Sequence, residues 1–221
     1  MSNEEMLAKV DHTLLKPYAT WADIRQICED AIAYHTATIC IPPSYIGRIR
    51  EAYGDQVTIC TVIGFPLGYQ VTEVKVAEAK KALEDGASEI DMVINIGDAK
   101  GGRFDAVTEE IRTLKKAVGD HVLKVIIETC YLTEEEKIEL CHCVTEAGAD
   151  FIKTSTGFGS AGANLEDVKL LRANVGPQVK VKAAGGIRSI DDMEDFINAG
   201  ADRLGTSSAI QLIKGENSSG Y

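Results

Sequence analysis

The sequence of 221 residues lacks several features that mark particular classes of protein. No run reaches the roughly 18 apolar residues that a membrane-spanning helix needs. The first ten residues have no apolar signal-peptide core, so we expect a cytoplasmic protein that does not enter the membrane. Basic residues are also scarce, with 23 Lys and Arg against 34 Asp and Glu and a net charge of -11. Nonspecific nucleic-acid binding is therefore disfavoured, because phosphates would be repelled unless the cations were gathered in one place.

Cysteine and histidine do not occur in the patterns of metal centres or disulfide frameworks. The six cysteines include no C-x-x-C pair and most lie in apolar segments, so we expect reduced, mainly structural thiols. Cys141, His142 and Cys143 are adjacent, but neighbouring side chains of a helix point about 100° apart and cannot converge on one ion. The other histidines are scattered. We therefore predict no metal.

Strand-like runs and helical patterns alternate from one end of the chain to the other. Segments 72–83, 104–118, 134–147 and 165–173 have apolar residues at helical spacing. This alternation predicts an α/β protein with a parallel sheet, and eight strand-like runs indicate a closed (β/α)8 TIM barrel. An open doubly wound sheet is the alternative. We expect a single domain over residues 1–221 with a polar tail at about 215–221. The candidate strands are residues 10–15, 37–41, 57–63, 88–94, 122–128, 150–153, 179–183 and 203–205.

Ionisable side chains stand where an apolar barrel core is expected. Strand residues alternate between the barrel interior and the helix layer, and reactive groups of barrels lie at the carboxyl ends of strands. Three lysines and an aspartate are expected to converge there. The alternative is an inert buried ion network, or lysines that extend outward to solvent. The residues concerned are Asp91 and Asn95 on one strand, Lys124 and Glu128 on the next, and Lys153 and Lys182 near two strand ends.

A pair of lysines gives this arrangement a chemical use. A lysine amine attacks a carbonyl only when it is neutral, so a nucleophilic lysine needs a lowered pKa. A second ammonium about 4 Å away, at an effective dielectric constant near 20, costs about 4 kcal/mol or roughly three pKa units. Lys182 beside Lys153 would supply that charge, and Lys153 is the candidate nucleophile.

Glycine-rich segments follow the seventh and eighth predicted strands. Loops at these positions in barrels hold phosphate through backbone N–H groups. Either motif alone is weak, because glycine also serves ordinary turns, but together they favour a phosphorylated substrate. The candidate phosphate ligands are Gly185, Gly186, Ser207 and Ser208, with Arg188 as a charge partner.

The motifs resemble, over nearly the whole chain, the class I deoxyribose-phosphate aldolases, which form a Schiff base. The resemblance implies a TIM barrel that reversibly cleaves 2-deoxy-D-ribose 5-phosphate to D-glyceraldehyde 3-phosphate and acetaldehyde. It also implies that neither a metal nor an organic cofactor takes part. The motifs are DHTLL (11–15), GFPLG (64–68), EIDMVIN (89–95), LKVIIET (123–129), FIKTSTGF (151–158), VKAAGGIR (181–188) and GTSS (205–208).

The same resemblance implies a role for each candidate residue. Lys153 would form the Schiff base, and Lys182 would lower its pKa. Asp91 would relay protons through water, supported by Lys124. The glycines and serines of three loops would bind the substrate phosphate: Gly157, Gly185, Gly186, Gly205, Ser207 and Ser208.

Three positions carry open alternatives. Some family members have a lysine where this chain has Phe158, so phosphate affinity here would depend more on backbone amides. Tyr221 would assist proton transfer from a mobile tail, as in some members, or belong to an ordinary tail. Cys40, grouped with the substrate-binding residues, would pack at the second strand or be a site of inactivation by unsaturated aldehydes.

Two other functions fit the same fold. A phosphosugar isomerase or synthase would use Asp91 and Lys124 as acid and base without a covalent intermediate. A noncatalytic sensor would bind a phosphate ligand, although it would have no need of a lysine pair with a lowered pKa. The expected partners are small phosphosugar and aldehyde substrates and further copies of the chain, in a homodimer or a higher homo-oligomer.

Overall fold

Eight parallel strands form a closed barrel in the computed structural model, which describes residues 1–215. The strands are β1 (Val10–Thr13), β2 (Thr38–Ile41), β3 (Ile59–Ile63), β4 (Glu89–Val93), β5 (Val122–Ile126), β6 (Phe151–Lys153), β7 (Lys180–Ala184) and β8 (Arg203–Thr206). Each strand pairs with its neighbours in chain order, and β1 also pairs with β8. The predicted α/β barrel is confirmed, and the open sheet is excluded because the sheet has no free edge.

Helices follow the strands and surround the barrel. Within residues 1–215 they are α1 (Asn3–Leu7), α2 (Trp21–Tyr34), α3 (Ile46–Tyr53), α4 (Thr72–Glu84), α5 (Ile96–Lys100), α6 (Phe104–Val118), α7 (Glu134–Ala147), α8 (Leu165–Asn174), α9 (Ile190–Asn198) and α10 (Ala209–Ile213). The four helices expected from apolar spacing agree with α4, α6, α7 and α8 to within one residue. None of the helices in this part of the chain is both long and apolar enough to cross a bilayer.

Capping residues in the sequence set several helix ends. Thr133 begins α7 with a capping box, in which its side chain accepts from the N–H of Glu136 and the Glu136 side chain accepts from the N–H of Thr133. Gly148 ends the same helix with a left-handed backbone, φ 75°. Thr20 and Asp23 form the equivalent box at the start of α2. These local signals set the starts of α2 and α7 and the end of α7.

The main apolar core lies between the strands and the helices. Ile90 and Met92 of β4 belong to this core, as do Ile111 and Leu114 of α6, and all four are fully buried. A smaller apolar cluster is separate from it and consists of Leu15, Cys40, Cys60 and Val62, with Phe65 packed against it. The rest of the barrel interior is therefore free for polar groups.

Asn95 does not lie in the interior, contrary to the strand alternation. It follows the end of β4, and its side chain accepts a hydrogen bond from the N–H of Asp98 at 3.2 Å. Asn95 thus caps α5. The alternation predicts an extended strand through Asn95, but the cap of α5 interrupts it there.

Candidate active site

Three lysine side chains converge on Asp91 inside the barrel. Lys153 Nζ and Lys182 Nζ each lie 2.7 Å from Asp91 Oδ2, and Lys124 Nζ lies 2.8 Å from Asp91 Oδ1. The strand register explains the convergence, because Lys124 is paired with Asp91 across β4 and β5, and Lys153 with Lys182 across β6 and β7. The structure thus brings together the four side chains singled out from the sequence.

The burial of this cluster opposes charge, but its members compensate each other. Burial disfavours the Asp91 carboxylate, yet the charges of Lys124, Lys153 and Lys182 outweigh it and hold the Asp91 pKa well below its usual range. Burial likewise favours neutral Lys182, but Asp11 and Asp91 raise the pKa of Lys182 above its ordinary value. Lys182 is therefore a permanent cation next to Lys153.

A second layer of charges lies below this cluster and was missed in the sequence. Asp11 Oδ2 accepts from Lys182 Nζ at 2.5 Å, and Asp11 Oδ1 lies 2.5 Å from Arg203 Nη1. Glu89 Oε2 lies 2.6 Å from Lys124 Nζ and 3.2 Å from Arg203 Nη1. Burial raises the pKa of Asp11, but the charges of Lys182, Lys124 and Arg203 lower it by more. Asp11 therefore stays ionised. These residues come together only because the closed barrel brings β1, β4 and β8 around one axis.

Potential metal ligands also lie in this interior. Cys60 joins Cys40 and Asp91 in one group of close donor atoms, and Asp11 and Glu89 in another. However, Lys124 Nζ contacts Cys60 Sγ at 3.1 Å as well as Asp91 and Glu89. An ammonium group therefore fills the space between these donors, which fits an ion network better than a metal centre.

Lys153 differs from the other two lysines because it lines an open cavity. The cavity lies at the carboxyl ends of the strands, where barrels hold their active sites. Most residues singled out for substrate binding line it as well: Gly157, Gly185, Gly186, Gly205, Ser207 and Ser208. Lys124 and Lys182 are fully buried beneath it. A molecule in this cavity would thus meet one amine and two glycine-rich loops.

Glycine is required at two places in the cavity wall. Gly185 and Gly186 have φ values of 77° and 79°, a left-handed backbone that other residues rarely adopt. Gly205 has another reason, because a Cβ there would lie 3.0 Å from Ala184 Cβ and 3.1 Å from Lys182 Cε. The small size of Gly205 leaves room for the Lys182 side chain.

Two residues predicted from the sequence lie away from the cavity, and a third lies outside the residues that the structure describes. Arg188 is exposed, and its backbone N–H donates to Asp192 at 2.8 Å, while its side chain does not line the cavity. Cys40 is fully buried in the small apolar cluster. Tyr221 lies outside residues 1–215. Phe158 is 44% exposed and meets Phe65 edge to face at 5.4 Å.

Glu128 supports the loop that follows Lys153. Its backbone is left-handed, φ 55°, which is uncommon for a residue other than glycine. Its carboxylate accepts hydrogen bonds from the Thr156 hydroxyl and from the Thr156 N–H at 3.2 Å. Burial raises the pKa of Glu128, although the Thr156 bonds and the charge of Lys153 act against it. Glu128 thereby joins the end of β5 to the cavity wall.

Comparison with known proteins places the chain in a family. The sequence pattern of the DeoC/LacD family aldolases matches residues 5–210. The chain belongs to this family of aldolases. Membership makes it an enzyme of the lyase class and confirms the resemblance drawn from the motifs.

Relatives of this DeoC/LacD aldolase match it from end to end. The chain is 65% identical to deoxyribose-phosphate aldolase of Clostridium botulinum (strain Alaska E43 / Type E3), with all of both chains covered. It is 56% identical to the enzyme of that name from Clostridioides difficile (strain 630), covering 99% of this chain and 100% of the relative. A solved tetrameric deoxyribose phosphate aldolase from Aeropyrum pernix superposes with a TM-score of 0.89 at 35% identity, covering 97% of this chain and 92% of that one.

Proposed function

We propose that this aldolase cleaves 2-deoxy-D-ribose 5-phosphate reversibly through a Schiff base on Lys153, in the breakdown of deoxyribose phosphate. The observation that carries the proposal is the position of Lys153 at the base of the open cavity beside the permanent cation Lys182. The names of the full-length relatives support the choice of substrate.

The ion pairs indicate why Lys153 would be the lysine that reacts. Lys182 is held by Asp11 and Asp91, and Lys124 by Glu89 and Asp91. Among the described residues, Lys153 has only Asp91 as a carboxylate partner at salt-bridge distance. Within the described part of the chain, Lys153 therefore has fewer carboxylate partners than either neighbouring lysine.

The chemistry follows from a neutral Lys153 amine. Its lone pair would attack the substrate carbonyl to form a carbinolamine, and loss of water would give an iminium ion. The iminium then accepts the electron pair of the breaking C–C bond, which releases the phosphorylated aldehyde and leaves an enamine. Asp91 lies 2.7 Å from Lys153 Nζ and would assist the proton transfers of these steps. Protonation and hydrolysis of the enamine return the free lysine and acetaldehyde.

The phosphate group would bind in the glycine-rich wall of the cavity. Gly185, Gly186, Ser207 and Ser208 line one side of it, and the loops follow β7 and β8. Backbone N–H groups in such loops bind anions without a charged side chain. This suits a site in which Arg188 points elsewhere and Phe158 replaces a possible cation.

Substrate cleavage tests the proposal directly. Wild-type protein should release acetaldehyde from 2-deoxy-D-ribose 5-phosphate, and far more slowly from 2-deoxy-D-ribose. The Lys153→Met variant should lose at least about 1,000-fold in kcat because the covalent path is closed, whereas exposed Lys80→Met should retain full activity. Binding of the phosphosugar without cleavage, in folded wild-type protein, would instead support the phosphate sensor, and its isomerisation would support the isomerase.

A further inference from the structure

Arg203 and Glu89 form a charged pair at the end of the barrel opposite the cavity. Arg203, in register with Lys182 across β7 and β8, points its guanidinium to Asp11 and Glu89 at 2.5 and 3.2 Å. The Arg203 side chain is 17% exposed and lies 5.5 Å from the Phe151 ring. Burial works against the charge of Arg203, but Asp11 and Glu89 raise its pKa. Arg203 is therefore always a cation.

Unbroken hydrogen-bonded ion pairs connect this pair with the nucleophile. Asp11 Oδ2 accepts from Lys182 Nζ, and Asp91 Oδ2 accepts from both Lys182 and Lys153. A second route runs from Glu89 through Lys124 Nζ to Asp91 Oδ1 at 2.6 and 2.8 Å. Both routes end at the carboxylate that contacts Lys153.

The charges of this network do not balance while Lys153 is protonated. Its cations are Lys124, Lys153, Lys182 and Arg203, and its carboxylates are Asp11, Glu89 and Asp91. Without Lys153, the three remaining cations match the three carboxylates in number. With a neutral Lys153 amine, this network of ion pairs would contain three cations and three carboxylates.

We propose that Arg203 and Glu89 are positioning residues that set the pH at which the Lys153 amine becomes free to attack a carbonyl. The proposal rests on the Schiff-base function proposed above. Removal of Arg203 would leave three carboxylates against two permanent cations, so the network would hold the Lys153 proton more tightly. Removal of the Glu89 charge would do the opposite.

Other groups around Lys153 stay the same in both changes and do not determine the sign. They are Asp91 from β4, Lys124 and Glu128 from β5 and its end, Lys182 from β7, and the thiols of Cys40 and Cys60 from β2 and β3. If the acidic limb shifts in opposite directions in the Arg203 and Glu89 variants, the shift therefore reports the charges of these two residues.

The test measures how fast acetaldehyde forms the Lys153 imine, trapped by borohydride, from pH 5 to 10. We expect the acidic limb of this rate to move up by about one pH unit in Arg203→Met and down by a similar amount in Glu89→Gln. This is the effect of one charge about 10 Å away, or two strand spacings, at an effective dielectric constant near 20.

Three further variants separate charge from damage to the fold. The double variant Arg203→Met with Glu89→Gln restores the balance, so its limb should return to the wild-type position. Arg203→Lys keeps the charge and should remain near wild type, as should Arg112→Met, which removes an exposed cation on α6. If Arg203→Met does not fold, the downward shift in nearly isosteric Glu89→Gln still decides.

The outcomes are distinguishable from failure of the proposed function. Wild-type protein that forms no imine on Lys153 would refute the Schiff-base function itself. If the imine forms on Lys153 but the acidic limb of its rate stays fixed in both single variants, or moves the same way in both, only the role of Arg203 and Glu89 would be refuted.

Discussion

Asp91 is the residue on which the candidate site depends. It is fully buried and accepts hydrogen bonds from three lysine side chains, each at 2.7 or 2.8 Å. The removal of one partner from a buried ion pair leaves an uncompensated charge, which costs far more than the pair contributes. The lysines are therefore compatible with the barrel interior only while Asp91 is ionised.

Replacement of this carboxylate by its amide should damage both stability and turnover. We expect Asp91→Asn to lower the free energy of unfolding by about 3–5 kcal/mol and kcat by at least about 100-fold. Urea unfolding and the cleavage assay measure the two effects. Asp85→Asn breaks a partly exposed pair with Lys81 and is the matched control, expected within about 1 kcal/mol of wild type. Equal effects in both variants would contradict the central place of Asp91.

Through Glu128, pH should change the free energy of unfolding in the direction opposite to its effect through Asp91. Its pKa is raised by burial in the folded chain, so the stability it contributes is fully present below the unfolded value and is lost as pH rises through the folded value. We predict that the unfolding free energy of Glu128→Gln, minus that of wild type, increases as pH rises from 4 to 8. Urea titrations at several pH values measure this difference, and a constant difference would disprove the assignment.

The interior residues could be predicted only where the strand pattern was clear. Asp91 and Lys124 interrupt apolar strands, and alternation directs both inward. Glu89 and Arg203 are the first residues of β4 and β8, next to turns, where a charged residue is usually solvated. Their burial depends on the closure of the barrel, which brings β1, β4 and β8 around one axis. No local pattern carries that information.

At the scale of elements, the contact between β7 and β8 shapes the space around Lys182. Gly205 is paired with Ala184 across these strands, and its lack of a side chain lets Lys182 pass. A larger residue would have to displace Ala184 or Lys182. The glycine thus couples the closure of the sheet to the position of a site cation.

Gly205→Ala should therefore reduce stability and activity together. We expect a loss of about 1–3 kcal/mol in the free energy of unfolding, because Ala184 and Lys182 would have to shift to admit the added Cβ, together with a lower kcat. Gly47→Ala in α3 is the matched control, since nothing lies within 4 Å of a Cβ there, and it should gain up to about 1 kcal/mol. Urea unfolding compares the two. A neutral Gly205→Ala would contradict the packing described.

The elements themselves were well predicted because their signals are local. Apolar spacing indicates α4, α6, α7 and α8 within the chain segment itself, and Thr133 and Asn164 cap the starts of α7 and α8. The strand ends were less certain, since Leu15, Ile94 and Glu128 continue a strand pattern but lie beyond β1, β4 and β5. There the chain leaves the sheet to form the mouth of the barrel, and tertiary contacts such as Glu128 with Thr156 decide its path.

The whole molecule combines an apolar layer outside the barrel with an ionic interior. The alternation of eight strand and helix units predicts the apolar layer. The full ion network follows only from the way the strands pair in the closed barrel. Asp11 and Asp91 both have pKa values well below the usual range, as their cationic neighbours outweigh burial. The interior therefore links global stability to pH.

Acid should unfold the protein through these carboxylates. A lowered folded-state pKa contributes stability above the unfolded value near 3.8, and that stability is lost as pH falls toward the folded value. We predict that the free energy of unfolding falls steadily from pH 5 to pH 3. Urea titrations should show a smaller fall in Asp91→Asn, which lacks one such group. An equal fall in both proteins would contradict the linkage.

The most direct measurement of the central claim is chemical trapping of the nucleophile. The protein is treated with borohydride in the presence of acetaldehyde or 2-deoxy-D-ribose 5-phosphate, and its peptides are mapped by mass spectrometry. The account predicts a substrate-derived adduct on Lys153 and none in Lys153→Met. An adduct on Lys124 or Lys182 in the wild-type protein, or on no lysine in folded protein, would contradict it.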